Sequence, residues 1–101
     1  MGKNFKSRVY SAARMVPIGK VSTYKQIAKK AGNELAARAV GTIMHHNDYR
    51  HSKVPCHRII KSNGSVGGYA SGDARKIQIL RKEGITIRNG TIDLEKFGME
   101  L

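Results

Sequence analysis

Apolar residues recur at helical spacing from the beginning of the chain: Phe5, Val9, Tyr10, Ala13 and Met15 share one face of residues 4–15, with lysines and arginines outside. This pattern predicts an amphipathic helix that Pro17 and Gly19 end. Thr23 followed three positions later by Gln26 makes a capping box, and Ile27 and Ala28 give the helix behind it an apolar side as far as Gly32. Asn33 can cap a second helix from about Glu34 to His45, after a turn short enough for a helix-turn-helix unit. Residues 45–53 are polar and read as a loop. Val54, Ile59 and Ile60 mark a short buried strand, and Ser62-Asn63-Gly64 marks a turn. Residues 72–82 predict a basic amphipathic helix with Ile77, Leu80 and Ile79 inward and Gly84 as its stop. Alternation over Ile85–Leu94 about Asn89-Gly90 predicts a terminal hairpin. Phe97 and Leu101 are too few to decide whether the tail docks.

At 101 residues the chain is expected to form one small domain, and it shows no internal repeat or linker. The fold class is mainly α with small β elements. Nineteen Lys and Arg against 7 Asp and Glu give a formal net charge of +12, which favours a polyanionic partner, either nucleic acid or an acidic membrane face. No apolar run approaches the ~20 residues of a membrane span, and no signal-peptide centre is seen, so no membrane partner is expected. Lys6 stands where a myristoylation site after Met1-Gly2 would need Ser or Thr. The expected location is cytoplasmic, or nuclear in a eukaryote. Cys56 is the one cysteine, which excludes an internal disulfide and fits a reducing compartment.

Cys56 lies in Val54-Pro55-Cys56-His57-Arg58, where His57 and Arg58 offer the base and the positive charge that a thiolate nucleophile needs. A buried thiol acting as a small hydrophobe is the alternative. Neighbouring side chains on an extended strand point opposite ways, so His57 can serve Cys56 only if the backbone turns there or a water bridges them. In the second helix Ala36, Ala37, Ala39 and Gly41 leave one side nearly bare around Arg38, which suits either close approach to DNA or tight packing on another helix. His45, His46 and His51 with Cys56 and His57 repeat no common zinc spacing, so no metal is expected.

The Pro55-Cys56-His57-Arg58 stretch resembles the active-site signature of the O6-alkylguanine-DNA alkyltransferases. The likeness extends from Val16-Pro17-Ile18-Gly19-Lys20-Val21-Ser22-Thr23-Tyr24 through Ala36-Ala37-Arg38-Ala39-Val40-Gly41 and Asn47 to Gly64, Gly67, Tyr69 and Glu83-Gly84, in family order. It covers roughly residues 5 to 87, and no counterpart of the family's N-terminal companion domain is expected in this sequence. The resemblance implies a winged helix-turn-helix-like catalytic domain, monomeric and without cofactor, that binds double-stranded DNA through the minor groove. It further implies irreversible, single-turnover transfer of an alkyl group from guanine O6 to Cys56 after nucleotide flipping. Cys56 would be the acceptor, His57 would take its proton through a water, Glu83 would orient His57, and Asn47 would brace the backbone. Arg38 would fill the space left by the flipped base. Thr23, Tyr24, Ala36, Ala37 and Gly41 would contact DNA. Tyr24, Ile59, Tyr69 and Ala70 would line the alkylguanine pocket, with the carbonyls of Ile59 and Cys56 accepting from the base's exocyclic amine. Asn47 lies one residue further from Cys56 than in the family, and Ala70 replaces its usual serine, whose contact is through the backbone N–H.

Two other readings fit parts of the pattern. An alkyltransferase-like protein would bind O6-alkylguanine DNA without removing the alkyl group; the short form and the tryptophan-free helix at 72–82 suit it, whereas the intact Cys56, His57, Asn47 and Glu83 do not. A winged-helix regulator without chemistry explains the charge and the helix-turn-helix but not Pro-Cys-His-Arg.

Overall fold

The computed structural model describes residues 2–45, 54–66 and 70–101. The first helix, α1 (Gly2–Arg14), buries Val9, Ala12 and Ala13. Met15, expected on that face, is 49% exposed. The helix ends at Arg14 and the chain leaves through a tight turn, in which Val16 N–H donates to the Ala13 carbonyl at 3.2 Å, so Val16 takes the inward place.

Thr23 caps α2 (Tyr24–Lys30) as the capping box requires, its Oγ1 accepting from the Gln26 N–H at 3.1 Å. At the other end Gly32, at φ +104°, lets Asn33 N–H reach back to the Ala28 carbonyl and Gly32 N–H to that of Lys29. These are the two bonds of a Schellman motif. Asn33 then caps as expected, but the element it starts is a 3₁₀ turn, Glu34–Ala36, that leads into α3 (Ala37–His45) rather than one continuous helix. Val40 and Met44, four residues apart, form the buried stripe of α3.

The signature motif turns where a strand was one possibility. Pro55 sits in an inverse γ-turn (φ −78°, ψ 68°), with Cys56 N–H donating to the Val54 carbonyl at 2.8 Å, and Cys56–Arg58 form a 3₁₀ turn. Strand β2 (Ile59–Ile60) follows directly and pairs in parallel with β1 (Ser22–Thr23), Ser22 against Ile59 and Thr23 against Ile60. Successive strand residues face opposite ways. Ile59 therefore enters a core with Val9, Val16, Ile27, Val40 and Val54, whereas Ile60 enters a second core with Val21, Val66, Leu80, Ile85, Ile87 and Ile92.

Helix α4 (Ala70–Lys82) starts two residues earlier than its pattern suggests and ends at a second Schellman motif, where Gly84 has φ +93° and Ile85 N–H donates to the Leu80 carbonyl. Leu80 is buried, and Ile77 and Ile79 are half-buried. The expected Asn-Gly turn is present, with Asn89 at φ 52° and Gly90 at φ 71°. It does not carry a regular hairpin. Arg88 and Thr91 form an isolated bridge, and the arm leans instead on residues 64–66 through Val66 N–H to Gly90 and Ile92 N–H to Gly64. Burial of both Ile87 and Ile92 draws the arm onto the second core. Asp93 caps a last short helix, α5 (Leu94–Phe97), and the tail docks: Val21 N–H donates to the Phe97 carbonyl and Met99 N–H to that of Val21. Among the described residues no helix is long and apolar enough to cross a membrane.

Candidate active site and nucleic-acid interface

Because Cys56 and His57 lie on a 3₁₀ turn, their side chains leave the backbone about 120° apart instead of on opposite faces. Cys56 is half-buried and unbridged. His57 Nε2 lies 3.0 Å from Glu83 Oε2. A carboxylate only accepts, so the neutral ring carries its hydrogen on Nε2 and presents the lone pair of Nδ1. Burial holds His57 below the ordinary imidazole range; the Glu83 carboxylate opposes this, and the charges of Arg58 and Lys76 add to it. Glu83, held mainly by its hydrogen bonds from Arg58, lies below the usual carboxylate range although burial opposes that shift.

Arg58 was expected to lend its charge to the thiol, but the fold commits it elsewhere. Its Nε donates to Glu83 Oε1 at 3.0 Å and one terminal nitrogen to Glu83 Oε2 at 2.9 Å, while the other donates to the Val16 carbonyl at 2.9 Å. Pairing of Arg58 with Glu83, residues 25 apart, has no signature in the local pattern. A second contact missed from sequence is Lys76 of α4, whose Nζ donates to the Ile59 carbonyl at 2.7 Å and lies 5.7 Å from the centre of the Tyr24 ring. It gathers Tyr24 and Ile59, both expected in one pocket, and it already engages the carbonyl assigned to the base's exocyclic amine.

The remaining site residues separate into two groups. Thr23 is buried and its hydroxyl oxygen serves the helix cap, whereas Arg38 is exposed on α3 between half-buried Ala37 and exposed Ala39. Among the described residues a Cβ built on Gly41 meets nothing within 4 Å, so none of them requires a glycine here for packing. Ala36 does pack against the first core. Asn47, Tyr69 and the histidines at 46 and 51 lie outside the described residues; Ala70 opens α4. Among the described residues no group of three His, Cys, Asp or Glu is placed to hold a metal ion.

A helix-turn-helix that exposes Arg38 on its second helix thus sits in one domain with a turn carrying a thiol and an imidazole held by a clamped carboxylate, the class of architecture found in DNA-binding domains. Residues 4–85 match the family described as 6-O-methylguanine DNA methyltransferase, DNA binding domain, and the chain belongs to that family. It is 43% identical over 83 residues to a methylated-DNA--protein-cysteine methyltransferase of Methanosarcina acetivorans, covering 82% of this chain and 53% of that one. It is 42% identical over 91 residues to a bifunctional methyltransferase/endonuclease of Picrophilus torridus, covering 90% of this chain and 30% of that one. The chain thus spans between about a third and a half of the length of these curated relatives. In structure it is similar to S. pombe Atl1 in complex with damaged DNA containing O6-carboxymethylguanine, with a TM-score of 0.89 and 32% identity, over 100% of this chain and 98% of that one. It is also similar to Mycobacterium tuberculosis OGT in complex with DNA, with a TM-score of 0.70 and 39% identity, over 79% of this chain and 48% of that one.

The clamp sets how stability depends on pH. Because the folded state lowers the affinity of Glu83 for protons, this carboxylate's contribution is complete above about pH 4.5 and is lost as pH falls through its depressed folded value. Glu83→Gln is expected to lower unfolding free energy by about 1–3 kcal/mol at pH 7, with the gap from wild type closing below about pH 4.5. Urea unfolding of both proteins across pH 3–7 measures this; a gap independent of pH over that range would show that the charge of Glu83 is immaterial.

Proposed function

We propose that the protein transfers an alkyl group from O6 of guanine in duplex DNA to its own Cys56, once per chain and without cofactor. The observation that carries this reading is the placement of the Cys56 thiol on one turn with His57, whose Nε2–H is fixed by Glu83. Neutral His57 takes the thiol proton, directly or through a water. The thiolate attacks the alkyl carbon, the carbon–sulfur bond forms as the carbon–oxygen bond breaks, and guanine leaves with the bonding pair, its charge met by the Tyr24 hydroxyl. The product is a thioether, and nothing in the site provides a route back.

The reactive oxygen is inaccessible in a stacked duplex, so the nucleotide must be extruded at a cost of a few kcal/mol. Arg38 is assigned the vacated space, and the bare side of α3, with Ala37 and Gly41, the minor groove, whose width limits side chains. Thr23 and Ala36 border that contact. Ile59, Tyr69 and Ala70 are assigned to the pocket by the family resemblance, and Asn47 to the backbone brace. A single domain acting as a monomer suffices for these roles. A second reading, binding to alkylated DNA without transfer, is favoured by the end-to-end likeness to Atl1.

Arg38→Ala is expected to slow repair in duplex DNA far more than on free O6-benzylguanine, which needs no flipping. His57→Ala should slow both by a similar factor, roughly 100-fold, with DNA affinity nearly unchanged. Single-turnover rates on the two substrates separate these effects; equal losses for Arg38→Ala would remove its insertion role, and undiminished transfer by His57→Ala would remove the base.

Gly41 provides a separate check on the helix face. With open space around it, Gly41→Ala should raise the stability of the free protein by about 0.5–1 kcal/mol, while Gly41→Leu should fold yet bind duplex at least tenfold more weakly. Thermal unfolding and fluorescence anisotropy test the pair, and unaltered duplex binding by Gly41→Leu would place this face away from DNA.

A further inference from the structure

Arg58 does more in this fold than complete a motif. All its assigned bonds are directional: a two-pronged bond to Glu83 and a third to the Val16 carbonyl. Its side chain is 12% exposed and that of Glu83 14%, so water screens the pair little. Val16 is fully buried in the first core, which anchors the guanidinium from the side away from the carboxylate. Glu83 Oε2 is shared, accepting from both Arg58 and His57. His57 therefore meets a carboxylate whose charge is already matched.

That matching has a chemical consequence. An uncompensated carboxylate 3.0 Å from an imidazole stabilises the imidazolium, which has no lone pair with which to take a thiol proton. We propose that Arg58 is a positioning residue that fixes and neutralises Glu83, so that Glu83 orients His57 as a proton-accepting neutral ring instead of trapping it in the charged form. Among the described residues the charged groups facing His57 are Glu83 and Lys76 from the α4 side and Arg58 from its own turn, and both cations act in the same sense. Lysine could not replace the arginine, because a single ammonium cannot reproduce the planar fork and reach Val16 together. The role deepens the proposed transfer reaction and rests on His57 as the base for Cys56.

The test is a titration of the folded full chain, labelled with ¹⁵N in its histidine rings, with the His57 signals identified by their loss in His57→Gln. The His57 midpoint should rise by about one pH unit in Arg58→Gln and by a smaller amount in Arg58→Lys, which keeps a charge but loses the fork. The acid limb of transfer from O6-benzylguanine should move upward by the same amounts. A midpoint that stays or falls in the folded variants overturns the inference, as does an equal rise in both, which would mark a purely structural role. Should Arg58→Gln fail to fold, Arg58→Lys against wild type decides by direction alone. The ordered midpoints with no transfer by the wild-type chain would uphold the clamp and overturn the transfer reading alone.

Discussion

The carboxylate of Glu83 is where three separate parts of the chain are tied by charge. It closes α4, it accepts from His57 and Arg58 of the 3₁₀ turn, and through Arg58 it reaches the carbonyl of Val16 beside α1. An ion pair so little exposed is costly to desolvate, and it persists because each of the three guanidinium nitrogens has a partner. Removing one member leaves a buried charge without compensation, so the cluster is a point of fragility as well as of chemistry. The bond from His57 to Glu83 fixes which ring nitrogen bears hydrogen and thereby which edge of the ring is basic.

The two-residue ladder between β1 and β2 gives this cluster its place. Ile59 and Ile60 anchor in different cores, so a slip by one residue would bring charged Arg58 or Lys61 into one of these core positions. The turn carrying Cys56 and His57 enters that strand directly, and its position is inherited from the packing behind it. On the partner strand Thr23 ends the ladder and caps α2, which sets Tyr24 at the first position of the helix. Hydrophobic registration thus places the thiol, the imidazole and the tyrosine without any flexible connection between them.

Local rules made much of this legible from sequence. The Thr23 cap on the Gln26 N–H, the glycine stops at Gly32 and Gly84, and the Asn-Gly turn all depend on residues close in the chain, and each appears in the fold. The helix-turn-helix and the family followed from motifs. What could not be read were choices made by distant partners. Met15 gives way to Val16 because a turn, not a period, sets the last inward residue of α1. Ile87 and Ile92 turn a hairpin into an arm lying on a core that contains Val21 and Leu80. Arg58 and Lys76 read as general positive charge, yet packing commits one to Glu83 and the other to the Ile59 carbonyl.

The thiol beside His57 is either consumed by reaction or only occupies a binding pocket. Intact-mass spectrometry of the wild-type chain and of Cys56→Ala, after incubation with excess duplex containing O6-methylguanine, answers this most directly. Wild type is expected to gain the mass of one methyl group, located to Cys56 by peptide mapping, while Cys56→Ala gains none and still binds the modified duplex. An unchanged wild-type mass with tight binding to the lesion would contradict transfer and leave a protein that recognises alkylated guanine without repairing it.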